Sequence, residues 1–89
     1  VNFIMYQLVY KRRATKALAR MSSADRRQLL GALDVLAQSP YANHLDTKRL
    51  QGRDGFRLRI GDWRVLYDVE DDRLIVLVLQ IGSRGDIYK

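Results

Sequence analysis

The run Phe56-Arg57-Leu58-Arg59-Ile60, then Gly61-Asp62, then Trp63-Arg64-Val65-Leu66-Tyr67-Asp68-Val69 constrains this chain more than any other stretch. Apolar and polar residues alternate strictly before the Gly-Asp pair and nearly so after it, which is the period of a half-buried strand. The pattern predicts a β-hairpin. With Gly61 and Asp62 as a two-residue turn, Ile60 faces Trp63, Arg59 faces Arg64, Leu58 faces Val65 and Arg57 faces Leu66. Two arginines then oppose each other, and Arg57 lies two residues along on the same side. Like charges in that position destabilise a sheet by roughly 0.2–1 kcal/mol. A chain shaped only for stability would avoid them. The usual reason to hold such charges on a stiff sheet is an anion that arrives later, and for a basic protein the commonest is a phosphodiester.

The balance of charge agrees with that reading. Sixteen Lys and Arg against ten Asp and Glu leave a net charge of +6 and a pI near 10.1 in 89 residues. Such a surface suits a polyanion such as nucleic acid, or else an acidic protein partner. Between residues 48 and 64 there are six positive side chains and two acidic ones, Asp54 and Asp62. The length fits one domain, residues 1–89, and 47% hydrophobic residues fit an ordinary globule. There is no cysteine, which excludes disulfides and thiolate metal sites and suits a reducing cytoplasm. One histidine, His44, does not make a metal site alone, no apolar run approaches the ~20 residues of a membrane span, and no signal peptide is expected.

Taken in order, Phe3 to Tyr10 is rich in β-branched and aromatic residues and predicts a first strand. Arg12 to Met21 fits a short amphipathic helix, with Ala14, Ala17, Leu18 and Met21 on one side and Arg13, Lys16 and Arg20 on the other. Ser22 and Asp25 supply a helix start, and Leu29, Leu30, Leu33 and Leu36 mark the buried stripe of a second helix, Ala24 to Ala37, ended by Ser39-Pro40. Tyr41 to Gly55 reads as irregular. Glu70 to Arg73 reads as an acidic turn at the far end of the sheet, and Leu74 to Ile81 is apolar enough to be a central strand. The tail from Gly82 to Lys89 then carries Arg84 and Tyr88 away from that strand.

Arg57, Arg59, Arg64 and Arg84 form a set of permanently charged, planar donors suited to gripping a phosphate and to stabilising a pentacoordinate transition state. None can act as an ordinary general base, because the guanidinium pKa lies above about 12. Tyr88, Asp68, Asp86, Asp62 and His44 remain open as proton acceptors, and Tyr88 could instead stack on a base. Lys48, Arg49, Arg53 and Lys89 are expected to bind RNA around this set. No HExxH, acidic cage, P-loop or dinucleotide fingerprint is present, so no metal or cofactor is expected.

Leu50-Gln51-Gly52, the hairpin from Phe56 to Tyr67, and Ile81-Gly82-Ser83-Arg84-Gly85-Asp86-Ile87-Tyr88 together resemble the RelE/ParE superfamily of type II toxin–antitoxin toxins, the RelE branch above all. The resemblance covers essentially the whole chain. It implies an α+β fold, with an N-terminal strand and a helical hairpin on a twisted, mainly antiparallel sheet of about four strands. It also implies a ribosome-dependent, metal-independent mRNA endonuclease. In such enzymes the RNA's own 2′-hydroxyl attacks and a 2′,3′-cyclic phosphate is left. By position the family's site corresponds to Arg57, Arg59, Arg64, Arg84 and Tyr88. Implied partners are the ribosome with its mRNA and a cognate antitoxin, in a hetero-oligomeric complex away from membranes. The antitoxin is expected to cover the basic face or displace the tail. Some RelE-like toxins carry lysine where this chain has Arg57 and Arg59, and many carry histidine at Ser83, so fewer proton-exchanging groups stand here. Two other readings follow from the same resemblance: a ParE-like inhibitor of DNA gyrase, or a non-catalytic paralogue that only binds an antitoxin.

Overall fold

The computed structural model describes residues 5–87, so Tyr88 and Lys89 lie outside the described residues, as do Phe3 and Ile4 of the expected first strand. Its elements are β1 (Gln7–Tyr10), α1 (Arg12–Arg20), α2 (Ser23–Gln38), β2 (Asp46–Arg49), β3 (Phe56–Ile60), β4 (Trp63–Glu70) and β5 (Ile75–Ser83). The strands form one sheet in the order β1-β5-β4-β3-β2, with β1 parallel to β5 and the other pairs antiparallel. The fold is α+β. It has five strands where about four were expected, because β2 lies inside the segment read as irregular. Asp-Thr-Lys-Arg carries no apolar alternation, a pattern an edge strand tolerates because one of its sides has no neighbour.

The helices form where local chemistry favours them. Ser22 Oγ accepts a hydrogen bond from Asp25 N at 3.1 Å, satisfying one free donor at the start of α2. Arg26 reaches back to the end of α1, donating from Nε to the Leu18 carbonyl at 2.8 Å and from Nη2 to Met21 at 3.0 Å. That guanidinium therefore closes the link between the two helices. Neither helix is long and apolar enough to cross a membrane.

Ala14, Met21, Leu29, Leu33 and Leu36 pack against Leu58, Val65, Tyr67, Val76, Val78 and Ile81. Both helices thus cover one face of the sheet. Leu30 is not part of that stripe; it stays 37% exposed. β5 is an interior strand as expected, but Leu74 is not part of it. That residue sits in the preceding turn at φ +53°, and the strand instead continues to Ser83. Between Leu66 and Tyr67 the pairing shifts, so that Leu66 opposes Gln80 and Tyr67 opposes Val78, leaving Leu79 as the extra residue of a β-bulge.

Candidate functional site

The β3–β4 register is the one the sequence predicts: Ile60 faces Trp63, Arg59 faces Arg64 and Arg57 faces Leu66. Directly paired residues share a sheet face. Since Leu58 and Val65 meet the helices, the arginines occupy the opposite side. Following the pairs across four strands gives one row, Asp46, Arg59, Arg64 and Gly82, and beside it a second, Lys48, Arg57, Leu66 and Gln80. Successive positions in a row are about 4.8 Å apart and the rows about 6.7 Å apart.

The row contains a counter-charge that sequence reasoning missed. Asp46 Oδ2 pairs with Arg59 Nε at 2.7 Å, and its Oδ1 pairs with Arg57 Nη2 at 3.1 Å. The opposed arginines are therefore not left to repel each other unaided. No apolar alternation marked Asp46 as a strand residue; the available signal was its charge, two residues before Lys48, complementary to a basic strand. Arg57 Nε is buried without a hydrogen-bond partner.

Arg64 is placed differently from its neighbours. It is only 8% exposed, and its Nη1 donates to the carbonyls of Gly61 at 2.8 Å and Trp63 at 3.0 Å. A positively charged donor so held closes the hairpin turn as well as facing the row. Gly61 has φ +56°, the left-handed conformation that the turn requires.

The tail is tied to that same turn. Arg84 N donates to the Asp62 carbonyl at 2.8 Å, and Asp86 N and Ile87 N both return to Ser83 O, at 3.0 and 3.2 Å. Ile87 is 2% exposed and lies over Gly82, where an added Cβ would stand 3.1 Å from its Cδ1. Arg84 is thus delivered, exposed, to the end of the sheet where Arg64 sits. Ser83 Oγ donates to Asp86 Oδ2 at 2.8 Å.

The outer basic residues separate. Lys48 shares the face of Arg57, whereas Arg49 faces the other way, its guanidinium 5.2 Å from the centre of the Phe56 ring. Lys48, Arg49, Arg53 and Arg57, with Leu50 and Gln51, line a groove of about 430 Å³ round the edge of β2. Of the acceptors left open, Asp68 spends Oδ1 on the Val69 amide at 2.8 Å and lies four residues from Arg64, about 13 Å along the strand. His44 is exposed two residues before Asp46, towards the β3–β4 turn. Among the described residues no three His, Asp or Glu side chains converge in a group that could hold a metal ion.

Comparison with known proteins places this geometry in a family. The family model described as ParE toxin of type II toxin-antitoxin system, parDE, matches residues 8–88. The mRNA interferase toxin RelE of Escherichia coli K12 is 29% identical over 88 residues, covering 93% of this chain and 90% of its own. The RelE1 protein of Methanocaldococcus jannaschii is 31% identical over 80 residues, covering 88% of this chain and 89% of its own. In structure, a chain of the archaeal RelE–RelB complex from Pyrococcus horikoshii superposes with a TM-score of 0.79 at 29% identity, over 92% of this chain and 98% of that one. The chain carrying this arginine face belongs to the RelE/ParE superfamily of type II toxin–antitoxin toxins.

Proposed function

We propose that this toxin is a ribosome-dependent endoribonuclease of the RelE kind. The observation that carries the reading is the row of arginines on the helix-free face, with Arg84 brought to its end by the tail. In the reaction, the 2′-hydroxyl oxygen of a ribose attacks the adjacent phosphorus, and the bond from phosphorus to the 5′ oxygen breaks. The 2′-hydroxyl proton passes to a base and the 5′ oxygen takes up a proton, leaving a 2′,3′-cyclic phosphate and a 5′-hydroxyl. Arg57, Arg59, Arg64 and Arg84 bind the phosphate and stabilise the charge that builds on its non-bridging oxygens. Tyr88 serves as the base or as a stacking platform for a nucleobase. Lys48 and Arg53 steer the flanking backbone along the groove beside β2, with Lys89 adding charge at the tail and Arg49 at the edge. The relative named mRNA interferase supports this reading, and the RelE–RelB complex supports an antitoxin as the protein partner.

The family model bears the ParE description, so gyrase inhibition is the competing reading. One experiment separates them. After the chain is induced in cells, transcript-wide mapping of RNA 5′ ends should show new ends within translated codons, and Arg59→Ala or Arg84→Ala should remove them. Growth arrest with intact messages and lost DNA supercoiling would establish the gyrase reading instead.

A further inference from the structure

Asp46 does more than balance charge. Its two oxygens each take one guanidinium, Arg57 Nη2 at 3.1 Å and Arg59 Nε at 2.7 Å. A phosphodiester offers the same thing, two non-bridging oxygens sharing negative charge, to the same pair of donors. The carboxylate thus stands in for a phosphate. Both partners of the shorter pair are accessible, Arg59 at 55% and Asp46 at 44%, so the contact is one that an incoming anion can exchange.

We propose that Asp46 is a built-in competitor that holds the Arg57–Arg59 phosphate position against RNA. An RNA touching only these arginines must displace a tethered carboxylate at high local concentration. An RNA gripped at several places displaces it with energy from the other contacts. Asp46 therefore raises the number of other contacts an RNA needs before it is held. This rests on the reading of the face as an RNA site.

The test measures binding of a single-stranded RNA oligonucleotide, blocked against cleavage by 2′-O-methyl groups, to the full chain by fluorescence anisotropy over a range of salt. Asp46→Asn should bind roughly three- to thirtyfold more tightly than the parent, through release of an exposed pair with Arg59 and a half-buried one with Arg57. Its logarithmic salt dependence should steepen by about 0.7, one further phosphate contact on a single strand. Asp72→Asn makes the same change in net charge at the β4–β5 turn and should change affinity less than about twofold. If Asp46→Asn binds no more tightly than Asp72→Asn, the competitor role is wrong. If it binds more weakly, Asp46 instead positions the arginines, and the inference is equally overturned. Arg59→Ala keeps the two readings apart. Should it bind as the parent does, the face is not an RNA site and both readings fall; should it bind more weakly while Asp46→Asn is unchanged, only the inference falls.

Discussion

Arg64 combines two roles that a loss-of-function variant would confuse. The residue is 8% exposed, and its guanidinium donates to two carbonyls of its own hairpin turn. Hydrogen bonds from a charged donor are worth more than neutral ones, and removing the donor strands both acceptors. Arg64→Ala should therefore lower stability by about 2 kcal/mol, while Arg84→Ala, at an exposed side chain, should stay within about 0.5 kcal/mol. Urea unfolding of the two purified variants checks this. Equal stabilities would show that the turn does not depend on Arg64, and any loss of cleavage could then be read as chemistry alone. Arg64→Lys keeps the charge but presents a single ammonium in place of the planar fork. The hairpin register was legible because alternation and a Gly-Asp turn act locally. The near-burial of Arg64 was not, since nothing in its neighbours says which side chains turn back onto the chain.

At the level of elements, what the sequence concealed is β2. Its four residues are charged or polar, and strand edges need no apolar signal when pairing on one side is enough. With β2 unrecognised, Asp46 stayed invisible as the partner of Arg57 and Arg59. Another link joins elements at the opposite end of the sheet. Asp71, in the turn after β4, accepts hydrogen bonds from Tyr6 Oη at 2.8 Å and from Tyr41 Oη at 2.9 Å. It thereby ties the approach to β1 and the loop after α2 to one carboxylate. Desolvation of its hydroxyl and the hydrogen bond to Asp71 push Tyr41 up to about 12. The residue as a whole is 60% exposed, and Tyr41→Phe removes the hydroxyl together with its bond to Asp71. A phenol whose folded value lies above the unfolded value of about 10 stabilises the fold fully below pH 10, and that contribution disappears as pH rises through about 12. Thermal midpoints measured across that window should fall more steeply for the parent than for Tyr41→Phe. Parallel curves would mean that the Tyr41–Asp71 bond contributes nothing to stability.

Across the whole molecule, the candidate site is assembled from three separate stretches: the edge strand at Asp46, the hairpin from Arg57 to Arg64, and the tail at Arg84. Only the sheet brings them together, through the pairs Asp46–Arg59, Arg59–Arg64 and Arg64–Gly82. The tail is held by the Arg84–Asp62 backbone bond, the turn that returns Asp86 N and Ile87 N to Ser83 O, the Gln80–Ile87 bond at 3.4 Å and the seat of Ile87 over Gly82. Gly82 is therefore where tail position can be altered without touching the helix-covered side of the sheet. A side chain there would point onto the face of Arg64, into space filled by Ile87, whose Cδ1 would lie 3.1 Å and Cα 3.5 Å from an added Cβ. Valine suits a strand backbone, but its branches lift the buried Ile87 and move Arg84, so Gly82→Val should lower stability by about 1–3 kcal/mol. Displacing a phosphate-binding group by about an ångström costs up to about a hundredfold in rate. Cleavage of ribosome-bound mRNA should therefore fall about ten- to a hundredfold in Gly82→Val, with Arg57 and Arg59 still able to bind RNA. Undiminished cleavage would show that the docked tail is not the arrangement in which the toxin acts.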